Sequence, residues 1–143
     1  MGANDPNLPT NCLSTTEAIQ YLASVLNSMR SGLYTALTSA NPTLTAAQMV
    51  GGSVEISGQT AAQTVTTDTA ANIIARMQAL DANAAVGSTA TFALINDNTS
   101  SGAATLTAGA NVTVVNGAAL AIGAWNRYIL KWATTTTVTI TRG

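Results

Sequence analysis

The sequence has no histidine, a single cysteine and three prolines, and charged residues make up only 8% of its 143 positions, against about 25% in ordinary globular chains. Each shortage removes a class of chemistry. Without histidine there is no imidazole base, and so no Ser-His-Asp or Cys-His nucleophile. One cysteine and no histidine cannot build a zinc-type site, and Cys12 alone cannot close an internal disulfide. With no base beside it, Cys12 reads as a packed or half-exposed thiol. The acids Asp5, Glu17, Glu55, Asp68, Asp81 and Asp97 stand singly on separate segments, which is a poor start for a carboxylate pair of the glycosidase kind. The expectation is a protein that is not an enzyme and holds no cofactor and no metal. The loops "DANAAVG" and "NDNTSSG" resemble calcium loops only loosely and read as turns, since Asn, Asp and Gly are what turns are made of. No Gly-Lys-Ser/Thr follows any glycine cluster, so no phosphate loop is expected.

Basic charge and long apolar runs are also scarce. Arg30, Arg76, Arg127, Lys131 and Arg142 are the whole basic complement, and the formal net charge is −1. Nucleic-acid affinity rests on clustered positive charge, so no nucleic-acid partner is expected. No apolar stretch approaches the roughly 20 residues of a membrane span. "MGANDPNLPTN" lacks the basic start and apolar run of a secretory signal, and Pro6 stands where a myristoylation site carries Ser or Thr. The expected place of synthesis is therefore a cytoplasm, with no membrane partner.

What is present is alanine, threonine, serine and asparagine. Hydrophobic residues reach 47%, which with low net charge argues against disorder. So weakly charged a surface offers little repulsion between copies. The composition implies an assembly component, covered by copies of itself or by a partner.

Residues 1–13 read as an extended arm, with Asn4, Asp5, Pro6, Pro9 and Asn11 as loop formers. Ser14 and Glu17 have capping-box spacing, and Ile19, Leu22, Val25, Leu26, Met29 and Leu33 follow at helical intervals. The spacing predicts a helix over 15–30, extending toward 37. "SANPT" breaks the chain. Thr45 and Gln48 repeat the capping box before a short helix that stops at Gly51-Gly52. "SVEIS" and "AQTVTT" alternate around "GQTA", which predicts a hairpin over 53–67. Asp68 or Thr69 then caps a helix with Ile73, Ile74, Met77 and Leu80 on one face. The remainder reads as β: "STATFALIND", with Phe92, Leu94 and Ala90 on one face; "AATLTAG" returning after a turn; "NVTVVNG"; and "NRYILKWA" meeting "TTVTITRG". In the last of these, Val138 and Ile140 alternate with threonine, the pattern of a strand with one buried face. So uncharged a strand makes a poor free edge, and either the fold or another subunit is expected to cover it. Short strands between Gly/Asn/Ser turns predict a mostly β (α+β) fold. The expected form is a jelly-roll or β-sandwich-like domain over 44–143 with one inserted helix, preceded by an arm and helix at 1–43.

The run "LTAAQMVGG", a hairpin, "TVTTDTAANIIARMQAL", "AAVGSTATFALINDNTSSGAATLTAGANVTVVNG" and a closing Thr-rich strand resembles a module of tailed-phage virion proteins. These are the small head decoration, cement or head-fibre proteins. The resemblance covers about 44–143 and rests on the order of elements and on phrases such as "TLTAGANVTV". It implies a compact β domain seated on the capsid surface, usually as an oligomer, in the virion. The partners it implies are the major capsid protein and copies of the chain itself, a homotrimer first and a homodimer second.

Capsid binding by many modest contacts suits a chain with little chemistry. The expected contact residues are Asn4, Asp5, Pro6 and Leu8 in the arm, Leu22, Leu26 and Met29 on the helix, and Trp125, Tyr128 and Trp132 in the aromatic strand. The competing expectation is a phage fibre or adhesin-like module that binds a host-surface glycan or receptor. It requires Trp125, Tyr128 and Trp132 to form one exposed cluster, whereas the cement reading allows them in the core or at subunit contacts. A stacking platform for single-stranded nucleic acid is a weaker reading of the same aromatics.

Overall fold

The computed structural model describes residues 14–30 and 33–143. The chain divides into two units, Met1–Ser31 and Gly32–Gly143. The expected arm at 1–13, with Asn4, Asp5, Pro6 and Leu8, lies outside the described residues.

Of the first unit, helix α1 (Thr15–Arg30) is described. Its start is fixed by the expected capping box. The Ser14 N–H donates to Glu17 Oε2 at 2.9 Å and the Glu17 N–H donates to Ser14 Oγ at 3.2 Å. Two of the N–H groups that a helix start leaves unpaired are thus satisfied reciprocally.

The second unit is mostly β, with eight strands and two helices. In chain order these are β1 (Tyr34–Leu37), α2 (Ala46–Met49), β2 (Ser53–Ser57), β3 (Gln63–Thr66), α3 (Ala70–Leu80), β4 (Thr89–Asp97), β5 (Ala104–Thr107), β6 (Val112–Val115), β7 (Trp125–Trp132) and β8 (Val138–Arg142). Six strands form one mixed sheet in the order β1-β2-β4-β7-β8-β6, and β3 and β5 form a two-stranded sheet. The pairs β1/β2, β2/β4, β6/β8 and β3/β5 are parallel, while β4/β7 and β7/β8 are antiparallel.

Three expectations are corrected by this topology. The residues 53–67 do not form a hairpin: β2 joins the large sheet and β3 joins the small one. The chain at 34–37 is a strand, not a continuation of α1. And β5 does not return against β4; it pairs with β3, Ala104 opposite Gln63. The mostly β, α+β class is what the structure has. Four parallel pairs are not the antiparallel pattern of a jelly roll.

Parallel neighbours need crossovers, and those within the β1-β2-β4 part of the sheet carry helices. The connection from β1 to β2 carries α2, and that from β2 to β4 carries β3 and α3. Both helices pack on the large sheet, α2 against β2 and β4, α3 against β8. The α2 capping box at Thr45 and Gln48 is present as expected, and Thr69 is the N-cap of α3. Asp68 ties the two starts together. Its carboxylate accepts from the Ala46 N–H at 2.7 Å, the Thr69 N–H at 2.7 Å and the Asn72 amide at 2.8 Å.

The core lies on one face of the large sheet. Val54 and Ile56 of β2, Phe92 and Leu94 of β4, Tyr128, Leu130 and Trp132 of β7, and Val138 and Ile140 of β8 are all buried. They meet Leu44, Met49, Val65, Ile73, Met77, Leu106 and Leu120 in one cluster. The Phe92 and Tyr128 rings stack across the β4/β7 pair with centroids 5.2 Å apart, the offset aromatic contact that adds stability beyond burial. Ala90 packs at the margin of the same cluster.

The closing strand is covered by the fold itself. β8 lies between β7 and β6, with Val138 and Ile140 fully buried. The four consecutive threonines form the β7–β8 turn. Within it the Ala133 N–H donates to Thr137 O at 2.9 Å, and the Thr134 and Thr137 hydroxyls are 2.7 Å apart.

Candidate functional site

Strand residues alternate between the two faces of a sheet, so the buried set defines an opposite, outward set. In β7 the inward residues are Tyr128, Leu130 and Trp132; the outward ones are Trp125, Arg127, Ile129 and Lys131. Cross-strand register extends these into rows. One row runs Ala36, Glu55, Ile95, Trp125 across β1, β2, β4 and β7. A second runs Tyr34, Ser53, Ala93, Arg127 over the same strands. A third runs Thr91, Ile129, Thr141, Val115 across β4, β7, β8 and β6.

Six strands at about 4.8 Å spacing give this outward face a width of about 24 Å. All the side chains on it are exposed or half-buried. Trp125 is 67% exposed, Tyr34 57%, Val115 40% and Ile129 36%. Trp125 is flanked directly by Ile95, which makes the centre of the face apolar. The sparse charge is divided: Glu55 and Asp97 lie on the β2/β4 side, Arg127 and Lys131 on β7. At the β1 edge the Tyr34 hydroxyl donates to Glu55 Oε2. That bond to a carboxylate holds the phenol's pKa above its ordinary value, because ionisation would place two negative charges together.

The aromatic strand therefore divides its three named residues between the two faces. Trp125 points outward. Tyr128 is fully buried and Trp132 is 7% exposed, so neither offers its ring to a partner, and burial pushes the Tyr128 phenol's pKa up. The separation of 125 from 132 is odd, and in an extended strand an odd separation puts two residues on opposite faces. That signal was legible in the sequence. Leu22 on α1 is 58% exposed, with Ile19 and Tyr21 beside it also exposed; Leu26 and Met29 lie on the same helix, with side chains outside the described residues. The outward partners of Trp125, namely Ile95, Ile129, Val115 and Tyr34, were not singled out by sequence. Their common face follows from the pairing of strands distant in the chain.

The Asn-rich turn after β4 has a structural role. Asn96, fully buried, donates its amide to Gly102 O at 2.7 Å and to Leu120 O at 2.9 Å. Asn98 accepts from the Gln59 N–H at 2.9 Å and donates to Gly102 O at 3.3 Å. The amides knit the loops around β4 and β5 together, and their oxygens and nitrogens are occupied by backbone. Among the described residues, no group of three or more Cys, Asp or Glu side chains is placed to hold a metal ion. Among them, too, no helix is long and apolar enough to cross a membrane.

The arrangement can bind a broad, weakly charged surface. No family model matches this chain, and no curated protein or solved structure matches it.

Proposed function

We propose that this chain is a virion structural protein, a capsid cement or decoration protein that binds the outer surface of a phage head and stabilises it through oligomeric contacts. The observation that carries the reading is the open outward face of the six-stranded sheet. It is wide and poorly charged, with Trp125, Ile129 and Val115 exposed in a unit whose core lies on the other face. An apolar patch of that kind on a chain with so little charge marks a surface that is covered in use. The partner is a major capsid protein, as the resemblance of 44–143 to head decoration proteins implies, together with other copies of this chain. In this reading the unit is sandwich-like, with the small sheet and helices layered on one side and the shell on the other.

The test is co-sedimentation with phage heads that lack the protein. Wild type is expected to pellet with heads, and Trp125→Ala and Ile129→Lys to remain in the supernatant while keeping the wild-type far-ultraviolet spectrum. Binding by both variants at wild-type level would remove the sheet face from the reading.

The exposed Trp125 ring also favours a second reading, a fibre or adhesin-like module that stacks a host-surface glycan on it. Against it, Tyr128 and Trp132 are committed to the core, which leaves no aromatic cluster. Trp125 fluorescence titrated with host-wall polysaccharide separates the two: a saturable shift supports the glycan, and its absence supports the shell.

A further inference from the structure

The edge strand β6 runs out into the sequence's one Asn-Gly pair, Asn116-Gly117. Each member is there for a structural reason. Asn116 turns the chain out of the strand at φ 57°, in the left-handed region that asparagine tolerates better than most residues with a side chain. Gly117 passes close to its neighbours: a Cβ there would lie 3.0 Å from Val114 Cγ1 and 3.2 Å from Leu106 O. The bend selects asparagine, the close approach selects glycine, and their adjacency makes a chemically labile pair.

Two features set this pair apart from the other asparagines. The first is freedom. Asn116 is exposed, and among the described residues no backbone acceptor holds the Gly117 N–H. With no Cβ beside it, that nitrogen meets little steric resistance in turning toward the Asn116 side chain. Asn41 is also left-handed, but Pro42 follows it and has no N–H. Left-handed Asn111 precedes Val112, a β-branched residue whose N–H donates to Gly109 O at 3.2 Å. Asn96 and Asn98 are buried, with their amides donating to backbone. The second feature is a cation. Val115 is paired with Thr141, so Asn116 and Arg142 are the next residues along adjacent strands, and Arg142 Nη1 donates to Ala118 O at 3.4 Å. A guanidinium at that loop stabilises negative charge that develops as the Gly117 nitrogen attacks.

We propose that Asn116-Gly117 is a deamidation site, a modification that the fold leaves open and that Arg142 promotes. The Gly117 nitrogen forms a bond to Asn116 Cγ, its proton leaves with the side-chain amide as ammonia, and a five-membered imide closes. Water then opens the imide. Cleavage of the Cγ–N bond leaves aspartate in the ordinary chain. Cleavage at the backbone carbonyl leaves the chain running through the side chain, as isoaspartate. One water is consumed and one ammonia released. Either product sets a carboxylate at the Arg142 loop and adds a negative charge to a chain whose formal net charge is −1.

The test is peptide-mapping mass spectrometry of the full chain incubated at neutral pH, beside a synthetic peptide spanning 112–120 in the same buffer. The segment with Asn116 is expected to gain one mass unit in the folded chain at a rate comparable with the free peptide. Isoaspartyl methyltransferase is expected to label part of the product. Arg142→Gln, checked for folding by its urea midpoint, is expected to slow the gain severalfold, and Asn116→Gln to abolish it. A folded chain that stays unmodified while the peptide reacts overturns the proposal, because the left-handed bend then protects the pair. A gain that persists in Asn116→Gln overturns the assignment to this residue. An Arg142→Gln rate equal to wild type overturns the part given to the guanidinium.

Discussion

At the residue scale, a few polar side chains hold together segments that the backbone ladders leave apart. Asn96 is the clearest, since its buried amide donates to two carbonyls, one from the loop before β5 and one from the segment after β6. Replacing a buried donor leaves acceptors without partners, at about 1–3 kcal/mol. Asn96→Ala is expected to lower the unfolding free energy by about 2–3 kcal/mol, read as a lower urea midpoint at unchanged m-value. Asn96→Asp keeps the shape but sets a carboxylate against two carbonyl oxygens, and is expected to cost more, about 3–5 kcal/mol. If Asn96→Asp is as stable as wild type, the amide is not the tie. Asp68 plays the matching part on the helix side. It accepts from the first N–H of α2 and from the N-cap residue of α3, so Asp68→Ala releases both starts and is expected to cost about 2 kcal/mol. Gly109 shows the same economy without a side chain: a Cβ there would lie 2.5 Å from Thr67 O and 2.6 Å from Asp68 O. The chain passes too close to the Asp68 turn for any residue but glycine.

At the element scale, α1 and β7 carry the predictions. Hydrogen bonds from Ser14 hold the Glu17 carboxyl below its ordinary value of 4.5. A depressed carboxyl pKa contributes stability that is complete above the unfolded value and lost as pH falls through the folded one. Helicity at 222 nm is therefore expected to be constant above about pH 5 and to fall below about 4.5, and Glu17→Gln to flatten that dependence by keeping a neutral acceptor at the cap. In β7, neighbours of similar size differ by face: Leu130→Ala is expected to cost about 2–5 kcal/mol and Ile129→Ala less than about 1. Equal losses would mean that the outward face is covered within the chain. The elements that sequence made legible are those whose signals are local. Both capping boxes, the apolar face of α3, the alternation of β4 and the β7–β8 hairpin rest on residues within a few positions of one another. The parallel pairs left no such mark. "SVEIS" and "AQTVTT" look like a hairpin because each alternates and a turn separates them, yet β2 finds its partners in β1 and β4 and β3 finds its own in β5. Those choices depend on which faces the crossovers bury, and no short stretch records them. The outward face was illegible for the same reason, since Trp125 acquires Ile95 and Glu55 as neighbours only through long-range register.

At the scale of the whole molecule, the division into two units assigns stability to one of them. Among the described residues, every buried apolar residue of the core lies between Leu44 and Ile140, and the strands begin at Tyr34. A fragment spanning 32–143 removes none of them. It is expected to unfold at the same urea midpoint as the full chain, because the buried cluster lies wholly within it. Trimming the other end has the opposite consequence. Removal of residues 134–143 takes away β8, which lies inside the sheet. It deprives Leu130 and Trp132 of the neighbours Ile140 and Val138 and leaves β6 without a partner in the large sheet. Losing two fully buried β-branched side chains and two ladders exceeds the 5–15 kcal/mol by which domains are stable. The 1–133 fragment is therefore expected to show no cooperative urea transition, although it retains α1. A cooperative transition in that fragment would mean that the threonine-rich end is an appendage, and the argument that β8 closes the sheet would fall with it.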